Sequence, residues 1–503
     1  MSGAADPGRF VIVGGGTAGW LAALMLRQAL PPDRKITVVE SSKIPTIGVG
    51  EGTTAVFRQM LKSFGFDEFE FLRETEATIK FGIRHKDWRR VGHHYDGPID
   101  DPHLVIEPAG SRPQSYIDIF SCAAGRRLAD THLFAYLLDQ HKAPFARKTD
   151  GSLVPMGPYH HAYHFDQAKV GQWLRKKSRD VGMIDAQVSG VTRDAQSGNI
   201  TALQSDIGEI AGDFFFDCTG FRRTLISAMG AQWVSYAKDL PVNRAMPFWL
   251  EVEDDEEFTP FTTSWAQSSG WLWMIPTQKR IGCGYVYSDR HISPEQAKAE
   301  IEKTLGRKIE PRNDIKIDSG RLDKAWIGNC LALGLASSFL EPLEATSIHG
   351  TIVQMMVFLS RHQTCTPTDA DQYNNFAASQ LDDFKHFINA HYVSERRDTP
   401  FWQAVAQDFI SDETKSRLAM WQQKMPGIED FTPLPGGFAH TEQQLYYPVL
   451  DGLGLLNRSI AQKQMQAQPD LRKKAKAAAD SLTAEYMAAA PRALRHREFL
   501  KSL

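Results

Sequence analysis

Between Val11 and Trp20 the chain reads VIVGGGTAGW, an apolar, β-rich run broken by Gly14, Gly15, Gly16 and Gly19 and followed at once by the helical pattern LAALMLRQAL. A buried strand, a tight turn and a helix in immediate succession leave few folds open. In a dinucleotide-binding fold the first glycine makes the turn and the second lets backbone approach a pyrophosphate. The last lets helix and strand pack closely, and the helix N-terminus faces the phosphates. That logic puts Gly14, Gly16, Thr17, Ala18 and Gly19 at the cofactor. Glu40 closes the next apolar run, Ile36-Thr37-Val38-Val39. A carboxylate about 20 residues beyond the glycines can accept hydrogen bonds from a ribose. The expected fold class is α/β, with a Rossmann-like parallel sheet.

The chain has 503 residues and 42% hydrophobic content, enough to bury a large core and to divide into more than one unit. Its net charge of -3 gives no reason to expect nucleic acid or an anionic membrane as partner. Five cysteines are scattered without a CxxC pair, which suggests neither a disulfide framework nor a zinc site. With no signal-like segment and no apolar run of transmembrane length, a cytoplasmic protein is expected.

After Glu40 comes IPTIGVGEGTT, where Gly50 and Glu51 are read as part of a cofactor-contacting loop rather than a plain connection. Residues 55 to 79 read as mainly helix, and 115 to 143 and 166 to 181 as helices, the last with Asp166 as N-cap. In ATIKFGIRHKDW, Ile79, Phe81 and Ile83 alternate with Lys80, Gly82 and Arg84, so by pattern alone Lys80 is a solvated strand lysine. Residues 90 to 112 read as a long irregular excursion. His93, His94, His103, His160, His161 and His164 lack recognisable ligand spacing, so no metal is expected.

From 184 to 217 the period changes to two, predicting a β-meander that ends in the buried strand and small-residue turn FFFDCTGF. Asp217 and Gly220 of that turn are read as a second return to the cofactor. In GWLWMIP, Trp271 and Trp273 fall on one side of a strand, and spacing does not choose between core packing and the wall of an aromatic pocket. Residues 329 to 350 repeat strand, Gly334 turn and helix start, with the helix expected from 348. Glu341 and Glu344 sit at that start, where their plain role is favourable charge near a helix N-terminus, about 0.3 to 1 kcal/mol each. From residue 370 the pattern is mainly helical. The expected division is a cofactor domain over 1 to 360, with covering segments inserted at about 90 to 150, and a helical substrate-side subdomain over 361 to 503.

Together GGGTAGW, GVGEGT, DCTGF, WLWMIP and FLEPLEATS resemble the flavin-dependent halogenases of the tryptophan-halogenase-like branch, in the family's order and over nearly the whole chain. WLWMIP matches the signature that separates that family from ordinary flavin monooxygenases. The resemblance implies a flavin-monooxygenase-type fold holding FAD, used as FADH2 supplied by a separate flavin reductase. It implies that O2 and halide yield hypohalous acid, which crosses an internal tunnel to the organic substrate. Lys80 matches the family's essential lysine, which forms a haloamine or hydrogen-bonds the hypohalous acid. Glu344 aligns with the active-site glutamate, which positions the halogenating species or takes the proton from the ring. Thr346 and Ser347 match the positions that hold halide.

The sequence also departs from the family. PLEATS stands for the more usual PLESTG, so a side chain at Ser347 is expected to tune chloride against bromide preference. The histidine-proline-aromatic segment of the tryptophan pocket and the anchors for an amino acid's charged groups are not recognisable. The expected substrate is therefore an electron-rich aromatic such as indole or tryptophan, with Trp271, Trp273, Tyr446 and Tyr447 as neighbours of the ring. The alternative is an FAD-dependent aromatic monooxygenase, which needs neither halide nor Lys80.

Overall fold

In the computed structural model, residues 7–44, 50–99, 114–157, 159–253, 256–431, 433–434, 441 and 443–503 are described. The glycine-rich turn lies at the centre of a six-stranded sheet. In spatial order its strands are Gly182–Asp185, Lys35–Glu40, Arg9–Val13, Phe214–Asp217, Cys330–Ala332 and Trp326–Ile327. The first five are parallel and only the edge strand Trp326–Ile327 is antiparallel. This is the doubly wound order 3-2-1-4-5, which opens a crevice beyond the carboxyl ends of the central strands. Val13 stands in register with Val39 and with Asp217, so the glycine turn, Glu40 and the DCTGF turn all emerge at that end.

Two glycines make the turn possible. Gly14 has φ +115°, and a Cβ there would fall 2.2 Å from the Cys218 carbonyl oxygen. A Cβ at Gly19 would fall 1.9 Å from the Gly14 carbonyl oxygen, so the helix Thr17–Ala29 seats only because that position is bare.

A second, seven-stranded sheet stands beside the first. Its order is Ile315–Lys316, Arg244–Glu251, Arg280–Tyr287, Gly270–Pro276, Thr262–Ala266, Gly82–Lys86 and His94–Pro98, all antiparallel except the pair Thr262–Ala266 and Gly82–Lys86. A three-stranded sheet of Gly50–Gly52, Ala162–Asp166 and Thr78–Lys80 links the two. Lys80 ends a strand of this small sheet, and after Phe81 the chain enters the large sheet at Gly82. Residues 77 to 83 are buried throughout. The solvated face expected from alternation around Lys80 does not exist, because the segment runs between two sheets and is covered on both sides.

The expected helix over 55 to 79 is two helices, Ala55–Ser63 and Glu68–Thr75, separated at Gly65, whose φ of +73° ends the first. The region 115 to 143 is likewise Gln114–Ala124 and Leu133–Asp139, parted after Gly125 at φ +71°. Asp166 caps Gln167–Lys177 as expected, accepting from the backbone N–H of Ala168 and Lys169. Between the sheet strands Gly182–Asp185 and Phe214–Asp217 lies the expected meander, Val188–Arg193, Ile200–Ser205 and Gly208–Ala211.

The long helix Pro367–His391 begins with a capping box of Thr366 and Asp369 and buries Tyr373, Phe376, Gln380, Phe384, Phe387 and His391 at three- and four-residue spacing. Its lower half shares one core with the large sheet: Trp88, Trp271, Trp273, Phe387, Trp402, Trp421 and Tyr446 belong to a single buried cluster. The last strand, Ala493–Arg495, pairs with Lys142–Arg147, and Phe499 stacks on Phe145 with ring centroids 4.7 Å apart. No helix among the described residues is long and apolar enough to cross a membrane.

Candidate active site

A cavity of about 1030 Å³ opens at the carboxyl ends of the parallel strands and runs to the face of the large sheet. Gly14, Gly15, Gly16, Thr17 and Ala18 line one end. The helix Thr17–Ala29 starts there with no side-chain cap and no acidic residue in its first turn, leaving backbone N–H groups free for an anion. Gly19 is not on the wall; it serves the close packing behind it. Glu40 lines the cavity, where Trp20 Nε1 donates to its Oε2 at 3.3 Å and Arg175 Nη1 to its Oε1 at 3.1 Å.

Gly220 and Gly334 also reach the wall. Gly334, at φ +58°, brings its turn so near the helix start that a Cβ would lie 2.7 Å from Ala18 Cβ. Asp217 is placed differently from the cofactor-binding role expected of it. It is fully buried, and its carboxylate accepts from Thr219 N–H and Oγ1–H and from the N–H groups of Leu225 and Ile226 at 2.7 to 2.9 Å. Those bonds hold the turn's shape and leave the carboxylate no direct cofactor contact. Gly50 and Glu51 line the middle of the cavity. Glu51 Oε2 is buried without a hydrogen-bond partner, and burial pushes its carboxyl up to about 7.

These features fit a flavin dinucleotide: a bare glycine cradle and uncapped helix start for phosphates, a carboxylate at the strand end, and an orphaned buried acid farther along the wall.

At the far end stand Lys80, Leu343, Thr346 and Ser347. Lys80 is 1% exposed and its Nζ donates to the Thr53 carbonyl at 3.0 Å. Burial lowers its pKa to about 8, against the pull of the Glu344 charge. Glu344 precedes Ala345, whose φ of +54° is left-handed for a residue with a Cβ, and the helix Thr346–Arg361 follows. That helix therefore starts two residues before the expected 348, again without a side-chain cap or an acidic residue in its first turn. Glu344 Oε1 lies 2.9 Å from His391 Nε2 and 3.5 Å from His85 Nε2. Burial pushes the carboxyl up, but the two imidazoles more than offset it and hold it at about 2.

Trp273 reaches the cavity wall with its ring over Gly284, where a Cβ would come within 2.0 Å of the indole. Trp271 does not line the cavity. It is buried behind it, and its Nε1 donates to Glu341 Oε2 at 2.8 Å. Tyr392 donates its hydroxyl to the same oxygen, and burial pushes the Glu341 carboxyl up to about 7. Tyr446 and Tyr447, expected beside the substrate ring, are core residues that do not line the cavity. Tyr446 packs on Phe387, Trp421 and Phe431. Tyr447 donates its hydroxyl to the Pro426 carbonyl at 2.7 Å.

Of the histidines considered as ligands, His161 meets Glu68, and His164 lies between Thr78 and Thr262. His103 lies outside the described residues. The sequence reading missed His85 and His391. Both signals were present: His85 continues the inward parity of Phe81 and Ile83, and His391 continues the buried stripe of Phe384 and Phe387.

The family model for tryptophan halogenase matches residues 9–468. The chain is 32% identical over 503 residues to the 7-chloro-L-tryptophan 6-halogenase KtzR of Kutzneria sp. (strain 744), covering 92% of this chain and 95% of the relative. It is 33% identical to the tryptophan 7-halogenase RebH of Lentzea aerocolonigenes, covering 91% of each. A solved flavin-dependent halogenase from Xanthomonas campestris superposes with a TM-score of 0.83 at 31% identity, over 98% of each chain. A glycine cradle shaped for a dinucleotide, joined in one cavity to a buried lysine, is thus found in a chain whose relatives match it over more than nine tenths of its length, and the protein belongs to the tryptophan halogenase family of flavin-dependent halogenases.

Proposed function

We propose that the protein takes FADH2 from a separate flavin reductase and uses O2 and halide to halogenate an electron-rich aromatic such as indole or tryptophan. The observation that carries this reading is Lys80: a cation only 1% exposed at the end of a cofactor-sized cavity, within the field of an ionised Glu344. Desolvating an ammonium is costly, and a fold gains nothing structural from it that an uncharged side chain would not supply.

Gly14, Gly16, Thr17, Ala18 and Glu40 would hold the dinucleotide, with Gly50, Glu51, Gly220 and Gly334 along its length. When bound, the reduced flavin would give two electrons to O2 and halide the other two, leaving one oxygen atom as water and the other in hypohalous acid. The uncapped backbone N–H groups of Thr346 and Ser347 would attract halide to the helix start. Lys80 as ammonium donates a hydrogen bond to hypohalous acid, polarising the bond between oxygen and halogen. Glu344 accepts the proton that the ring gives up once halogen is attached. Trp273 walls the site against water.

The deciding experiment is mass spectrometry of products from indole and from tryptophan, with a flavin reductase, NADH, FAD and either bromide or chloride. Product carrying the halogen isotope pattern is the expected result. Oxygenated product formed equally without halide would replace this reading with the aromatic monooxygenase. Ser347 stands exposed to the cavity at the proposed halide position. Ser347→Gly is expected to shift the ratio of brominated to chlorinated product in mixed halide by about threefold or more, and an unchanged ratio would remove Ser347 from halide selection.

A further inference from the structure

His85, Glu344 and His391 come from three separate elements: the strand Gly82–Lys86, the turn before Thr346–Arg361, and the end of Pro367–His391. One ligand atom from each lies within 4.8 Å of the others. Both imidazoles are fully buried, and neither Nε2 makes a hydrogen bond of workable geometry.

The proton positions follow from the neighbours. His391 Nδ1 lies 2.9 Å from the Phe387 carbonyl oxygen, which can only accept, so Nδ1 carries the hydrogen. In the neutral ring the Nε2 lone pair then points at Glu344 Oε1, 2.9 Å away. Two acceptors at that distance repel unless a cation stands between them. A proton would satisfy this one contact. His85 argues for more, because its Nε2 converges on the same carboxylate oxygen at 3.5 Å while its Nδ1 also lacks a partner. Its ring is fixed by stacking on Tyr95, centroids 4.6 Å apart and planes 15° from parallel.

We propose that His85, Glu344 and His391 form a binding site for a divalent transition cation of the zinc or cobalt type. Two imidazoles and a carboxylate suit such borderline ions. Donors at about 2.1 Å from a tetrahedral centre stand about 3.4 Å apart. The His85–Glu344 spacing of 3.5 Å matches this, the His391–Glu344 contact of 2.9 Å would have to open slightly, and all three donors lie within 4.8 Å of one another. The Phe387 carbonyl supplies the outer hydrogen bond that fixes a ligating imidazole's tautomer. Occupancy would engage Glu344 and so inhibit turnover. That second part rests on the halogenase reading given above, whereas binding does not.

Protein stripped with chelator and freed of it is titrated with Co2+ while visible ligand-field absorption is followed, and with Zn2+ by calorimetry. The expected result is one equivalent bound, with affinity falling at least about 100-fold in His391→Gln and in His85→Ala, each checked for native circular dichroism. Halogenation by the wild type should fall as the site fills and return with chelator. Absence of the Co2+ band would overturn the site and leave a proton as the cation. Binding undiminished in both variants would place the metal elsewhere and equally overturn it. Binding at this site with unimpaired halogenation would overturn the inhibitory role alone, and a protein that halogenates nothing but binds Co2+ would leave the site standing.

Discussion

Replacing Lys80 with methionine is expected to lower halogenated product by about 1000-fold or more while leaving FAD binding in place, and to make the protein more stable. Both effects have one cause. The ammonium is held out of water, and its pKa falls from 10.5 to about 8. The folded state therefore disfavours the charged form by on the order of 3 kcal/mol. Losing the donor to the Thr53 carbonyl returns about 1 kcal/mol of that, so a net gain of about 2 kcal/mol is expected at neutral pH.

The sign with pH follows from linkage: between about 8 and 10.5 the unfolded chain binds the proton that the folded chain has lost, so Lys80 makes wild-type stability rise across that window. The methionine variant should lack this rise. Denaturant titrations at pH 7 and 10 read the stability, and single-turnover product formation reads the activity. With the ammonium as the active form, the wild-type rate should fall as pH climbs through about 8, and a rate that instead rises would assign the role to the neutral amine. A methionine variant that still halogenates would remove Lys80 from the chemistry.

Lys80 also shows where sequence periodicity fails. The glycine turn, Glu40 and the Rossmann-like parallel sheet were legible because local rules act there: a bare backbone at Gly14 and Gly19, a strand that ends in acid. Lys80 follows no local rule. Its alternation is that of a strand with one wet face, yet the chain passes there from the small sheet to the large one and is covered on both sides. Only the resemblance of whole motifs identified it as a site residue.

Aromatic and acidic residues failed in the opposite direction. Tyr446, Tyr447 and Trp271 have the composition of a pocket, but their rings fill cores and their polar atoms meet Arg417, Pro426 and Glu341. Asp217 stands before a glycine turn as a ligand-binding acid would, and its oxygens are taken by the helix start that follows. Which polar atom is left without a partner is a property of tertiary packing, which spacing along the chain does not encode. The same holds for His85 and His391, more than 300 residues apart and brought together at Glu344 with their ring centroids 5.0 Å apart.

Glu344→Gln is expected to slow product formation about 100-fold or more, with FAD affinity unchanged. The substitution keeps the shape of the side chain and removes its charge and its basicity. In the wild type the Glu344 carboxyl sits at about 2, so it is ionised at neutral pH and ready to take a proton without a prior step. The amide cannot take it, so loss of the ring hydrogen becomes the slow step. Substrate deuterated at the position halogenated should then show a primary isotope effect in the variant and none in the wild type. A slowed variant without that effect would assign Glu344 to positioning the halogenating species through its charge, and a variant within threefold of wild type would exclude both roles. Because the carboxylate also raises the Lys80 pKa, Gln at 344 should move the Lys80 limb of the pH profile to lower pH. A limb that moves down while the isotope effect appears is the result that ties the two residues into one site.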